Sequence, residues 1–185
     1  MHIVESVLDG VVLLEGRRFG DERGWFSETY NAETLAELGI TEQFVQDNQS
    51  FNASQGTVRG LHLQAEPHAQ GKLVRVLTGV VFDVAVDVRE GSATFGQWFG
   101  AELAADNHRQ LWVPAGFAHG FMTLSDDVNL AYKVTSGYAP NAERSIRWDD
   151  PEIGIDWPSP DGDIVLSDKD SDAPSFSAYR NEVIG

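Results

Sequence analysis

The fold class is decided by KLVRVLTGVVFDVAVDV, residues 72–88, in which apolar and polar residues alternate with a period of two. Such alternation is typical of β-strands. The stretch predicts two strands joined at Thr78-Gly79, because glycine permits a change of chain direction there. The second strand carries on one face Phe82, Val84, Val86 and Val88, and on the other Asp83, Ala85 and Asp87.

The rest of the chain also favours strands. Further candidates, separated by Gly, Pro, Asn and Asp, are ATFGQWFGAEL (93–103), RQLWVP (109–114), GFMTL (120–124) and NLAYKVT (129–135). One helix is predicted over NAETLAELG (31–39), because Asn31 is a good N-cap and Gly39 a good residue just past a helix end. Residues 149–175, rich in Pro, Asp and Gly, predict an ordered loop whose apolar residues are buried: Ile153, Ile155, Trp157, Ile164 and Leu166.

These elements predict a single, mainly β domain, most simply a jelly roll with a few short helices. A length of 185 residues with 42% hydrophobic residues is enough for one domain with a sizeable core. We expect the domain to span residues 1–185, with a barrel body over about 19–148 and a C-terminal loop and helix segment over about 149–185.

The amino-acid composition restricts the kinds of site and partner that the protein can have. The chain has no cysteine, which excludes disulfides, thiolate zinc sites and a cysteine nucleophile, and which fits a cytoplasmic protein. Residues 1–16, MHIVESVLDGVVLLEG, are acidic and interrupted by Asp9 and Gly10, so they predict neither a signal peptide nor a membrane span. A formal net charge of -16 argues against nucleic acid or an anionic membrane as partner.

Two histidines in a predicted barrel first suggest a metal site. They are His62 in TVRGLHLQ (57–64) and His119 in PAGFAHG (114–120). The second motif matches the P-x-G-x-x-H half of the cupin metal signature, but the H-x-H half fails, because Gln64 stands where a second histidine belongs. A neutral amide is a poor ligand for a transition metal, and His68 has the wrong spacing. We therefore expect no metal, and the family resemblance described below implies that no other cofactor is required.

Without a metal, His62 is best interpreted as a general base, since an imidazole titrates near neutral pH. Gly60 permits close approach of a ligand or another backbone. The orienting partner of His62 would be one of many aspartates, and the candidate acids are Tyr132 and Tyr138. A satisfied histidine within a sheet is the alternative without catalysis.

Eight blocks resemble, in order, the dTDP-4-dehydrorhamnose 3,5-epimerases, from about Phe19 to Ser175. They are DERGWFSETY (21–30), VQDNQSF (45–51), TVRGLHLQ (57–64), GKLVRV (71–76), VFDVAVDVREGSATFGQW (81–98), RQLWVPAGFAHGF (109–121), YKVTSGYAPNAERSIRWDDPEIGIDWP (132–158) and LSDKDSDAP (166–174). The resemblance implies a cupin-type jelly roll, a homodimer and an enzyme without metal. It also implies inversion of C3 and C5 in a dTDP-4-keto-6-deoxy-glucose.

The resemblance also implies residue roles. His62 is then the base, Asp170 its partner, Tyr132 the acid, and Lys72 lies near the keto oxygen. Arg23 and Arg59 serve the diphosphate or nucleotide. Other positions that match substrate contacts are Glu28, Gln46, Asp47, Asn48, His119, Glu143 and Lys169, and Tyr138 is a further candidate. Trp25 and Phe26 stack on the thymine or line the dimer, and the sequence does not choose between these roles.

The chemistry agrees with these roles. A C4 ketone acidifies the protons on C3 and C5, so inversion needs a base on one face, an acid on the other and a cation at the oxyanion. An arginine would bind the phosphates by bidentate, charge-assisted hydrogen bonds. Three alternatives remain open: an epimerase that inverts only C5 or only C3, a metal-dependent cupin enzyme, and a sugar-nucleotide-binding cupin without activity.

Overall fold

A computed structural model describes residues 1–184; Gly185, the last residue of the predicted domain, lies outside the described residues. The strands are β1 His2–Val7, β2 Val11–Glu15, β3 Phe19–Asp21, β4 Gly24–Phe26, β5 Gln46–Asn52, β6 Val58–Gln64, β7 Lys72–Thr78, β8 Val80–Asp87, β9 Trp98–Ala104, β10 Arg109–Val113, β11 Phe117–Thr123, β12 Val128–Val134 and β13 Glu143–Ser145. The helices are α1 Ala32–Glu37, α2 Asp168–Ser171 and α3 Phe176–Ile184, and Pro140–Ala142 forms a 3₁₀ turn.

Two antiparallel sheets face each other and enclose the main core, which confirms the predicted mainly β, jelly-roll architecture. The six-stranded sheet has the order β1-β2-β10-β7-β12-β5, and the five-stranded sheet has the order β13-β6-β11-β8-β9. Apolar residues of both sheets form one buried cluster, which includes Val74, Val81, Leu103, Leu111, Phe117 and Leu130. The separate β3–β4 pair forms a small hairpin.

The predicted strand pair at residues 72–88 is confirmed as β7 and β8, with Gly79 between them at φ +80°. Both faces of β8 are buried. Val81 and Ala85 belong to the core between the sheets, whereas Val84, Val86 and Val88 pack outward against the C-terminal segment. The alternation is therefore as predicted, and the segment that follows the barrel explains why neither face is solvated.

The C-terminal segment covers the outer face of the five-stranded sheet. Ile153, Phe176 and Tyr179 are buried there, so the predicted ordered loop does pack on the body. The segment also forms helix α2 within the stretch that we predicted as loop, and the Ser167 hydroxyl caps its first turn by accepting from the Asp170 N–H at 3.2 Å. A bridge between Thr57 and Val165 fastens the segment beside the start of β6.

Helix α1 begins and ends as predicted. The Asn31 side chain accepts from the backbone N–H groups of Glu33 and Thr34 at 2.9 and 3.2 Å, and Gly39 follows the helix at φ +88°. Leu35 packs against Trp112 on the outer face of the six-stranded sheet. Within residues 1–184, no helix combines the length and apolar character that a membrane crossing requires.

The sheet begins earlier in the chain than the barrel body predicted for residues 19–148. Strands β1 and β2 form a hairpin that joins the six-stranded sheet through β10. Leu8, Asp9 and Gly10 make its turn with positive φ angles, so the break at Asp9-Gly10 is a turn between two strands. The predicted strand at 93–103 starts only at Trp98, because the Thr94 hydroxyl and the Gly96 N–H bond to Asp87 in a preceding turn.

Candidate active site

A cavity of about 290 Å³ opens between the two sheets. Its lining combines side chains from β5, β6, β7, β11, β12 and α2: Ser50, Arg59, His62, Lys72, His119, Phe121, Leu130, Tyr132, Ser167, Lys169 and Asp170. All four residues predicted to be catalytic therefore line one cavity. A larger depression of about 450 Å³, lined by Asp47, Arg75 and Lys133, lacks a basic imidazole or a buried carboxylate.

Strand alternation brings these side chains to the interior, since every second residue of a strand shares a face. Lys72 on β7, His119 on β11 and Tyr132 on β12 lie on the faces that build the core. Their inward-facing strand neighbours are Val74, Phe117, Phe121 and Leu130. On β6, Leu61 and Leu63 pack outward, which turns His62 inward. His62 and Tyr132 thus stand on opposite sheets.

His62 pairs with Asp170. Nε2 of the ring lies 2.6 Å from Oδ1 of Asp170, at an angle that departs from a well-aligned hydrogen bond. Burial opposes ionisation of the Asp170 carboxyl, but the contacts with His62 and Ser167 outweigh it and lower its pKa. A carboxylate only accepts hydrogen bonds, so the ring proton belongs on Nε2 and Nδ1 keeps its lone pair.

The Asp170 carboxylate is held in place by Ser167, the N-cap residue of its own helix. The Ser167 hydroxyl donates to Oδ2 of Asp170 at 2.8 Å, and the side chain of Asp170 is 5% exposed. The same serine caps helix α2, so the cap that forms the helix also orients the carboxylate. Sequence reasoning did not identify Ser167; its position three residues before Asp170, as a helix N-cap, was the available signal.

Burial shifts the pKa values of Lys72 and Tyr132 in opposite directions. Burial of the Lys72 ammonium lowers its pKa to about 8, although the charges of Asp83 and Glu143 act to raise it. Its Nζ donates to the His62 carbonyl oxygen at 3.3 Å. Burial raises the pKa of the Tyr132 phenol, against the opposing influence of Arg59. Tyr132 therefore stays protonated near neutral pH and can act as an acid.

His119 lies deeper, against a carboxylate that sequence reasoning did not assign to the site. Its Nε2 lies 3.0 and 3.1 Å from the two oxygens of Asp83. Asp83 has no exposed surface. The position of Asp83 on the inward face of β8, opposite the face of Val84, was the sequence signal for it.

The mouth of the cavity carries Lys169, Glu143 and Tyr138. Lys169 Nζ lies 2.6 Å from Glu143 Oε1, and the Tyr138 hydroxyl donates to Glu143 Oε2 at 3.2 Å. Tyr138 is 61% exposed. Arg59 is also exposed, and its Nε donates to the Asn52 side-chain oxygen at 2.7 Å. Three cations, Lys72, Arg59 and Lys169, therefore line a cavity in a strongly acidic protein.

Strand β5 divides its predicted contacts between two faces. Gln46 and Asn48 share the face of Ser50, but of these three only Ser50 lines the cavity. The Gln46 amide donates to Asn48 Oδ1 at 2.8 Å, and Asn48 borders the larger depression together with Asp47. Asp47 points to the opposite face, where its carboxylate lies 2.8 Å from Lys133 Nζ. The structure does not bring Asp47 to the cavity, because adjacent residues of a strand point to opposite sides.

Arg23 and Glu28 also lie outside this cavity. Arg23 is on the β3–β4 hairpin, where its side chain is 88% exposed and pairs with Asp21. The hairpin has its own shallow depression, lined by Arg23 together with Phe19, Trp25 and Phe26. Glu28 is exposed and accepts from the Asn31 amide at 3.1 Å. Both residues are exposed, and neither is among the residues that line the cavity of the same chain.

Gln64 has a structural role that explains its departure from the cupin metal signature. Its Nε2 donates to the carbonyl oxygens of His68 and Gly137, and its Oε1 accepts from the Ala139 N–H. The amide therefore fixes the loop after β12. Gly60, predicted to permit close approach, approaches a backbone: a Cβ there would lie 2.6 Å from Gly120 Cα. Residues 1–184 contain no group of three His, Asp or Glu arranged to hold a metal ion.

Comparisons with known proteins agree with this geometry. The family model described as dTDP-4-dehydrorhamnose 3,5-epimerase matches residues 5–178. The enzyme of that name from Sinorhizobium fredii is 55% identical over 170 residues, which cover 90% of this chain and 85% of that relative. A Legionella pneumophila dTDP-6-deoxy-D-glucose-3,5-epimerase, solved in complex with dTDP-4-keto-L-rhamnose, has a TM-score of 0.92 and 48% identity, covering 98% of this chain and 95% of that one.

A more distant structure is a 3′-monoepimerase from Streptomyces bikiniensis in complex with dTDP-quinovose. It has a TM-score of 0.87 and 34% identity, covering 94% of this chain and 88% of that one. The fold is therefore shared by enzymes that differ in the number of centres they invert, while the more similar sequences are 3,5-epimerases. On the extent of these matches, this chain belongs to the dTDP-4-dehydrorhamnose 3,5-epimerase family.

Proposed function

We propose that this chain inverts C3 and C5 of dTDP-4-dehydro-6-deoxy-D-glucose to give dTDP-4-dehydro-L-rhamnose, without a cofactor. The observation that supports the proposal is that His62 on β6 and Tyr132 on β12, the candidate base and the candidate acid, lie on opposite sheets and line one cavity. A sugar ring between them presents one face to each. Inversion requires this arrangement, since the proton must leave from one face and return to the other.

The proposed mechanism has two proton transfers at each centre. Nδ1 of His62 takes the proton from the carbon next to the ketone, and the C–H electron pair moves into an enolate whose charge rests on O4. The ammonium of Lys72 stabilises this oxyanion, while Asp170 stabilises the imidazolium. The Tyr132 hydroxyl then protonates the opposite face. Exchange of protons with solvent restores both groups before the second centre reacts.

Substrate binding is assigned to the cations and amides around the cavity. Arg59 at the mouth suits the diphosphate, because a guanidinium forms bidentate hydrogen bonds with phosphate oxygens. Lys169, which lines the cavity and pairs with Glu143, is assigned a further contact, and Gln46 and Asn48 stay candidates from the resemblance. A net charge of -16 repels an anionic ligand elsewhere on the surface. The cytoplasmic location stays a prediction.

Proton NMR of the substrate with the enzyme in D₂O tests this proposal, combined with reduction of the product to fix its stereochemistry. Deuterium and inversion at both carbons are expected, in protein treated with a chelator as well as in untreated protein. Label and inversion at only one carbon would identify a monoepimerase, and loss of activity on chelation would favour a metal-dependent enzyme. Binding of the nucleotide sugar without label would indicate a protein that binds and does not react.

The pH dependence of kcat/KM should fall above about pH 8, where Lys72 loses its proton. Deprotonation removes the cation at O4, so the loss lies on the alkaline side. Lys72→Met should reduce kcat by roughly 10²–10³-fold and remove this alkaline limb from the residual rate. A limb that persists unchanged in Lys72→Met would show that another group titrates there.

A homodimer is proposed from the β3–β4 hairpin. Phe19, Trp25 and Phe26 are 53%, 58% and 68% exposed, an apolar surface that favours burial against a second copy. Arg23 and Glu28, which lie outside the cavity of their own chain, would then be available to the cavity of the partner.

Phe26→Asp should shift the protein from dimer to monomer in sedimentation velocity and reduce kcat/KM at least tenfold, because a charge cannot be buried unpaired in the interface. Val183→Asp is the matched control, since Val183 is a 44% exposed apolar residue on α3. A monomeric wild-type protein with full activity would contradict the proposal.

A further inference from the structure

Asp83 is a carboxylate buried in the core between the sheets, and the proposed mechanism does not use it. Its side chain shares the inward face of β8 with Val81 and Ala85, and it has no exposed surface. Burying a charge among apolar side chains is unfavourable unless the charge is paired and hydrogen-bonded. A buried acidic residue beside an active site therefore calls for a partner and a role.

The partner is His119 on the adjacent strand β11, whose Nε2 lies 3.0 and 3.1 Å from the two carboxylate oxygens. Because the carboxylate only accepts, the proton of this ring belongs on Nε2. Burial lowers the pKa of His119, and the Lys72 charge adds to this effect against the opposing charge of Asp83. The ring is therefore neutral near pH 7, with a lone pair on Nδ1.

The lone pair of Nδ1 is available to a ligand. His119 lines the same cavity as Lys72, and its Nε2 side is taken up by Asp83. The proposed substrate has a hydroxyl on C3, next to the C4 ketone that Lys72 would bind. An acceptor beside Lys72 therefore suits that hydroxyl, which donates a proton, better than the ketone, which only accepts.

We propose that Asp83 is a positioning residue: it fixes His119 with its proton on Nε2, so that Nδ1 accepts a hydrogen bond from the C3 hydroxyl of the sugar. The substrate part of this inference rests on the proposed function. The ring tautomer does not, and it can be measured in the free protein.

The tautomer is tested by ¹⁵N NMR of the histidine rings in the wild-type protein at pH 7, with His119→Gln used to assign the signals. A neutral His119 ring protonated on Nε2 is expected. A ring that is charged at pH 7, or protonated on Nδ1, would overturn the inference whether or not the protein is an epimerase. Epimerase inactivity together with the expected tautomer would reject the proposed function alone.

The role of Asp83 is tested with Asp83→Asn, which removes the charge and keeps the shape. An amide can donate to Nε2, so the His119 ring should lose its preference for a proton on Nε2 in ¹⁵N NMR. Asp87→Asn is the matched control, since Asp87 is also fully buried on β8 but bonds to Arg89, Ser92 and Thr94. A ring that stays protonated on Nε2 in Asp83→Asn, or that changes equally in Asp87→Asn, would reject the role of Asp83.

The contact with the hydroxyl is tested with the substrate that lacks the C3 hydroxyl, by following deuterium exchange at C5. We expect kcat/KM of the wild-type enzyme to be at least tenfold lower for this substrate. The analogue leaves the buried acceptor on His119 without a hydrogen bond, which weakens transition-state binding. For the His119→Phe enzyme, kcat/KM should be nearly the same for the two substrates. An equal discrimination by wild-type and His119→Phe enzymes would overturn the assignment.

Discussion

His62→Ala is expected to remove both deuterium exchange and inversion at C3 and C5, lowering kcat/KM by about 10³-fold or more. Without this imidazole, the cavity lacks a free base near neutral pH, because Lys72 is protonated and Nδ1 of the neutral His119 ring is proposed to accept from the C3 hydroxyl of the sugar. The measurement is proton NMR in D₂O, which follows label and stereochemistry separately. Retained exchange at either carbon would mean that a different group is the base.

Asp170→Asn tests the role of the carboxylate that pairs with His62. An amide at residue 170 keeps the shape, but it removes the charge that stabilises the imidazolium and can donate to Nε2, which favours the wrong tautomer. We expect exchange and inversion to fall together, by about 10²–10⁴-fold. Thermal unfolding and binding of dTDP serve as controls for folding of both variants. An Asp170→Asn enzyme with wild-type rates would exclude the paired mechanism.

Tyr132→Phe should give a different result, in which inversion is lost far more than exchange. The expected loss of inversion is about 10²–10⁴-fold. His62 can still remove a proton and return one derived from solvent to the same face, so deuterium enters without a change of configuration. The signature is therefore labelled substrate with its original stereochemistry, which a general loss of folding or binding cannot produce.

Tyr138→Phe is the matched control, because Tyr138 was the second candidate acid. Its hydroxyl donates to Glu143 at the mouth of the cavity, and its side chain is largely exposed. We expect inversion to be retained within about a factor of ten. Normal inversion by Tyr132→Phe, or selective loss of inversion in Tyr138→Phe, would show that the acid is misassigned.

Local signals predicted the elements that depend on neighbours in sequence. The alternation at residues 72–88 and the Asn31 cap of α1 are examples, and both are confirmed. Strand β5 was not identified as a strand, because Gln46–Asn52 consists mostly of polar residues and is held by its pairing with β12. The N-terminal hairpin joins the sheet through β10, a contact between residues about a hundred positions apart that periodicity does not report.

The site residues also divide into those that the local sequence identifies and those that depend on distant contacts. His62 stood out from its own strand, but Asp170 lies among other acidic residues, and only the resemblance to a family pointed to it. The pair forms because the C-terminal segment packs beside β6, which no local pattern encodes. Asp83 was visible as part of an alternating strand, yet its burial follows from the closure of two sheets around it. The roles of all these residues stay predictions until the variants are measured.

The location of Asp170 has a consequence for how the protein acquires activity during synthesis. The histidine and the tyrosine belong to the two sheets, whereas their aspartate lies on α2, in a segment that follows the strands in the chain and packs against the five-stranded sheet. A nascent chain can therefore have all its strands while its histidine still lacks the neighbour that fixes the ring and the cavity lacks the wall that α2 supplies. Catalytic competence should appear late, when docking of the segment orients the base.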